Sequence, residues 1–166
     1  MTRDIIVSLG VIAALPAAAL AQTPSEAFEC RLPYRASLEA AATLPILSQA
    51  ETPAETAFGM HIPASSTVTF DPADLRVLGV RPTEAFLNMD EPGRGSEEAT
   101  VTLTAYLPAS PVMTQTLRDF IPDCLMDTRV GCHGPTVPGR GQISANPQDQ
   151  SIWVECEFKV RPEDVG

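Results

Sequence analysis

The chain has 166 residues, 44% of them hydrophobic and 19% charged, with 21 acidic against 11 basic side chains and a formal net charge of −10. That length accommodates one domain with a core of its own, and so large an apolar fraction excludes a disordered chain. The shortage of Lys and Arg argues against a nucleic-acid partner, because such binding rests on neutralising phosphates.

Residues 1–21 read as a secretory signal peptide. Arg3 gives a short positive start, an apolar stretch runs from Ile5 to Ala21, Pro16 breaks it, and Ala19-Leu20-Ala21 forms a small-x-small cleavage site before Gln22. The stretch is short for a permanent membrane helix, which needs about 20 residues. Residues 22–166 are expected to form a single disulfide-stabilised domain with no transmembrane span once the leader is cleaved, placed in the periplasm or secreted.

In the mature part, Ala27 to Leu32 alternates with Phe28, Cys30 and Leu32 on one side, which predicts a short strand ending at Pro33. Ser37 to Thr43 reads as a helix capped by Ser37 and stopped by Pro45. Ser48 to Ala57 is polar and reads as a surface connection. Thr67 to Phe70, Leu75 to Val80 and Glu84 to Met89 read as short strands, with turns at Asp71-Pro72 and Arg81-Pro82. Residues 90–96 read as a loop.

The clearest strand spans Ala99 to Leu107, where every odd position is apolar and every even one is Thr or Tyr. Successive strand side chains point to opposite faces, so one face is expected to be core and the other polar. Ser110-Pro111 then opens a helix, cap followed by Pro at the first helical position, with Met113, Leu117, Phe120 and Ile121 on one stripe. Met126 to Gly141 is irregular. A closing hairpin joins Gln142–Ala145 to Ser151–Val160. In its last strand Ile152, Val154, Cys156, Phe158 and Val160 are expected inward and Trp153, Glu155, Glu157 and Lys159 outward. Strands without β-α-β alternation predict an α+β fold, an antiparallel sheet with one or two helices packed on one face. The competing architecture is a β-sandwich with a crossover helix.

Four cysteines in an exported chain are expected to pair. The favoured pairing is Cys124–Cys132, which closes a short loop, and Cys30–Cys156, which would join the first and last strands because each cysteine sits in an alternating apolar pattern. The chain-entropy model gives these about 2.5 and about 5 kcal/mol. Zinc at Cys124, Cys132 and His133 is disfavoured, because seven residues separate the two cysteines and no second ligand pair follows. Covalent haem needs Cys-x-x-Cys-His, but Arg129 stands where the first Cys belongs. Residues 134–141 lack the Lys and Ser/Thr of a phosphate loop. Asp119, Asp123 and Asp127 do not form a calcium loop. No metal and no cofactor is expected.

Two histidines, His61 and His133, both read as loop residues, leave little for nucleophilic catalysis, and no Gly-x-Ser-x-Gly elbow occurs. No catalytic residue is assigned, and enzymatic activity is left open with the balance against it. Glu155 and Glu157 would lie about 6.6–6.8 Å apart along their strand, a spacing that glycosidase carboxylates can have, and Trp153 beside them could stack on a ligand. The expected function is a non-catalytic binding module for an unknown protein or small molecule, using Trp153, Glu155 and Glu157. The rivals are an inhibitor of an exported enzyme, presenting the Cys124–Cys132 loop as a plug, and a small hydrolase using the paired carboxylates.

Overall fold

The computed structural model describes residues 22–57, 60–93, 96–121, 131–134, 141–147 and 150–161. Its centre is one seven-stranded antiparallel sheet. The strands are β1 (Ile46–Thr52), β4 (Ser65–Phe70), β5 (Glu84–Asp90), β6 (Ala99–Pro108), β7 (Cys132–His133), β8 (Gln142–Pro147) and β9 (Ser151–Val160), in the spatial order β1-β4-β5-β6-β9-β8-β7. A two-stranded ribbon of β2 (Glu55–Ala57) and β3 (Met60–Ile62) lies between β1 and β4 in the chain. Among the described residues there are three short helices: α1 (Pro24–Phe28), α2 (Tyr34–Ala41) and α3 (Pro111–Phe120). The architecture is broadly α+β and dominated by its sheet.

Residues 27–32 are not a strand. Thr23-Pro24-Ser25-Glu26 is a capping box with Pro at the first helical position. The Thr23 side chain accepts from the Glu26 N–H, and the Glu26 carboxylate accepts from the Thr23 N–H at 2.9 Å. The helix ends in a Schellman motif, with Cys30 N–H donating to Ala27 O and Arg31 N–H to Glu26 O. Cys30 occupies the left-handed position of that motif, φ +55°, where glycine is usual. The apparent alternation of Phe28 and Cys30 is therefore one helical residue followed by one turn residue.

Ser37 is not a cap either. It lies fully buried inside α2, which begins after Pro33, and its hydroxyl donates to Leu32 O at 3.3 Å. The expected connection at 48–57 is instead most of β1 and all of β2. Every residue of β1 is exposed, so an edge strand held only by its ladder to β4 carries no hydrophobic alternation to read. Leu75–Val80 is a tight turn and not a strand. Val77 and Val80 exchange both backbone hydrogen bonds around Leu78 (φ +52°) and Gly79 (φ +78°), the backbone of a type I′ turn. The Leu78 N–H is held by the buried Glu29 carboxylate at 2.7 Å, whose other oxygen takes Arg31 at 2.8 Å.

β4, β5, β6, β8, β9 and α3 form where their patterns place them, whereas β3 and β7 arise in stretches read as loop and irregular chain. Ser110 caps α3 through Met113 N–H, and Met113, Leu117 and Ile121 are buried. In β9 all five inward positions, Ile152 to Val160, are buried, and the first four, Ile152, Val154, Cys156 and Phe158, pair in register with Leu107, Ala105, Leu103 and Val101 of β6. These side chains join Ala27 and Phe28 of α1, Ala40 and Ala41 of α2, and Met113 and Leu117 of α3 in one core cluster. Burial of a large aliphatic side chain there stabilises by about 1.5–3 kcal/mol.

Cys30 and Cys156 form a disulfide with Cα atoms 5.2 Å apart. It ties the α1 turn to β9 across the core. A side chain at Gly141 would meet it: an added Cβ would lie 2.7 Å from Cys156 Sγ and 3.0 Å from Cys30 Sγ, so glycine is required for this approach. Cys132 is also disulfide-bonded, and its expected partner Cys124 lies outside the described residues, as do residues 1–21. No helix among the described residues is long and apolar enough to cross a membrane.

Candidate functional site

The face of the sheet opposite the core cluster carries the outward residues of each strand. Strand register assembles them into rows. One row runs Ser48, Thr69, Phe86, Thr104, Glu155, Ser144, His133, crossing all seven strands. The row on one side of it runs Glu84, Tyr106, Trp153, Asn146, and the row on the other runs Ala50, Thr67, Asn88, Thr102, Glu157, Gln142. The three residues singled out by sequence, Trp153, Glu155 and Glu157, thus lie side by side on β9 at the middle of this face, each partly exposed.

They have neighbours that sequence reasoning missed. Phe86, Tyr106 and Trp153 form an aromatic ladder over three adjacent strands. Their ring centroids are 5.7 Å apart for the first pair and 5.8 Å for the second, at tilts of 44° and 35°. Such offset contacts contribute roughly 0.5–1.5 kcal/mol per pair beyond burial. The ladder also explains why the expected polar face of β6 is not simply solvated: Thr102 is buried and Thr104 fully so, flanked by Phe86 and Glu155.

Among the described residues, two polar atoms on this face are buried without a hydrogen-bond partner, Thr104 Oγ1 and Trp153 Nε1. Each unmade bond of a buried polar group costs about 1–3 kcal/mol. Burial also pushes the Glu155 carboxyl above its ordinary range. The Ser144 hydroxyl, donating at 3.4 Å, opposes this, Glu157 adds to it, and His133 and the Trp153 indole N–H oppose it. The indole lies near enough to favour the carboxylate but is not aligned for a sound hydrogen bond. Glu157 is more exposed and pairs with Lys159 Nζ at 3.1 Å, which also donates to Thr100 Oγ1 at 2.8 Å.

His133 lies in β7 and not in a loop, exposed and opposite Ser144. Glu155, Ser144 and His133 therefore share a row, but not in catalytic order. A serine nucleophile needs a base beside it and an acid behind the base. Here the hydroxyl stands between the other two and donates to the carboxylate and not to the imidazole. His61 lies in β3 and not in a loop, paired through its backbone with Thr56 of β2 in the separate two-stranded ribbon. Asp119 accepts from Gln115 at 2.9 Å on α3. Asp123, Asp127 and most of the loop imagined as an inhibitory plug lie outside the described residues.

No protein-family model matches the chain, and no curated protein or solved structure matches it.

Proposed function

We propose that the protein is an exported, periplasmic or secreted, disulfide-stabilised binding module, an α+β domain whose helices cover one sheet face and leave the other to engage a ligand without catalysis. The observation that carries this reading is the aromatic ladder Phe86–Tyr106–Trp153 beside Glu155 and Glu157, with the unsatisfied Thr104 hydroxyl among them. Burying unsatisfied polar groups is costly in a structure with no use for them, and such departures gather at functional surfaces. The Cys30–Cys156 disulfide supports an oxidising destination.

The reading predicts no turnover in a broad panel of glycoside, ester and peptide substrates. It also predicts a mature chain beginning at Gln22 and no free thiol in native material recovered after export. A second reading, a small hydrolase, is favoured by one observation: burial pushes the Glu155 carboxyl up beside a second carboxylate, Glu157, as it would for a general acid. Turnover lost in Glu155→Gln would establish that reading in place of the first.

A further inference from the structure

The binding face has a charge as well as a shape. Among the described residues, its strands carry four carboxylates, Glu84, Asp90, Glu155 and Glu157, against one ammonium, Lys159, which is already engaged by Glu157 and Thr100. The acids flank the aromatic ladder, and the whole chain has a net charge of −10. A planar cation satisfies both features. It stacks on aromatic faces, and its N–H groups pair with carboxylates in a fixed fork. The buried Thr104 Oγ1, unpartnered and set between Phe86 and Glu155, offers a further acceptor at the floor of the same place.

Resting on the binding-module reading above, we infer that the open face recognises arginine side chains presented by a basic protein or peptide, with the guanidinium seated against Tyr106 and Trp153 and hydrogen-bonded to Glu155 and Glu157. Complementary charge also speeds the encounter with such a partner and makes it sensitive to salt.

The proposal has a pH signature. The charged groups that face Glu155 are Glu157 and Lys159 on β9, His133 on β7, and beyond the Tyr106 phenol of β6 the Glu84 carboxylate of β5. Glu155 is held above its ordinary range by burial, and a guanidinium beside it favours the charged form. Binding therefore releases a proton, and affinity rises with pH through the Glu155 titration and then levels. The same rise in a His133→Gln background assigns it to Glu155 and not to the imidazole.

The chain has a single tryptophan, Trp153, so its emission reports on this face. The test titrates the full mature chain with a synthetic arginine-rich peptide, with the same peptide carrying citrulline for arginine, and with a neutral oligosaccharide series. The arginine peptide is expected to change Trp153 emission saturably and to weaken with salt. Glu155→Gln and Glu157→Gln, both isosteric, are each expected to lower its affinity about fivefold to tenfold. Equal binding of the citrulline peptide, or undiminished binding in both variants, overturns the proposal. Saturable binding of an oligosaccharide at Trp153 with none of the arginine peptide overturns it but preserves the binding face. Calorimetric binding of the arginine peptide to the wild-type chain with unchanged Trp153 emission overturns the binding face as well.

Discussion

The two faces of β6 and β9 are built from the same twenty residues and could hardly differ more. Toward the helices, Val101, Leu103, Ala105 and Leu107 meet Val154, Cys156 and Phe158 in a closed apolar layer with a disulfide through it. Away from them, Thr104, Tyr106, Trp153, Glu155 and Glu157 form a surface with unpaired polar atoms and a carboxyl pushed toward its neutral form. Every group on the first face is satisfied by burial alone. The second face leaves hydrogen-bonding capacity unused where it is expensive to do so. One layer holds the fold, and the other is the face proposed to bind.

Substitutions on the two faces should separate accordingly. The largest effect belongs to the core side: replacing Cys30 and Cys156 together by Ser removes a link across 126 residues of sequence and should destabilise by about 5 kcal/mol in the chain-entropy model, measured by urea unfolding. Leu103→Ala, in a fully buried site at the sheet centre, should cost about 2–5 kcal/mol by the same assay. Gly141→Ala places a methyl against the disulfide and the Glu157 carbonyl and should cost about 1–3 kcal/mol.

On the other face the sign reverses. Thr104→Val removes a buried hydroxyl that has no partner and should stabilise by about 1 kcal/mol while weakening binding, a combination the core side cannot give. A destabilised Thr104→Val would break the comparison, since it would mean that the hydroxyl is satisfied. Glu155→Gln gives the smallest effect and the most diagnostic one. Because burial raises the Glu155 carboxyl above its ordinary 4.5, the native state favours the protonated form. That stability is present below the ordinary value and lost as pH rises through the raised one. The melting temperature of the wild type should therefore fall relative to Glu155→Gln as pH is raised across this window, and the two should converge in acid. Thermal melts at a series of pH values check the direction.

Much of the core face could be read from residue order. The alternation in β6 and β9 and the cap and stripe of α3 follow from periodicity and from turn chemistry, whereas the Cys30–Cys156 link is present although its expected basis, a strand at Cys30, is replaced by the turn after α1. The failures have local causes. At residues 23–28 an apparent two-residue period competed with the capping box Thr23-Pro24-Ser25-Glu26, and the cap is the stronger determinant of local structure. At β1 there was no period at all, because an edge strand with seven exposed residues buries nothing on either side. Leu75–Val80 looked extended because its apolar residues are buried, yet positive φ at Leu78 and Gly79 folds it back on itself.

Of the candidate site, Trp153, Glu155 and Glu157 were visible because one strand carries them two residues apart. Phe86, Tyr106, Thr104, Ser144 and His133 were not, although Tyr106 and Thr104 stood on the correct face of a correctly read strand. Their relation to Trp153 depends on which strands pair and in what register. That is a property of the assembled sheet, and no local pattern in residues 84–160 states it.

The division of the two faces is tested most directly by mapping backbone amide shifts by NMR while the arginine-rich peptide is added to the oxidised mature chain. The account predicts perturbations concentrated around Phe86, Tyr106, Ser144 and Trp153 to Glu157, with α1, α2 and β1 unmoved. Perturbations centred on the helices or on the β1 edge, with Trp153 to Glu157 unaffected, would contradict it.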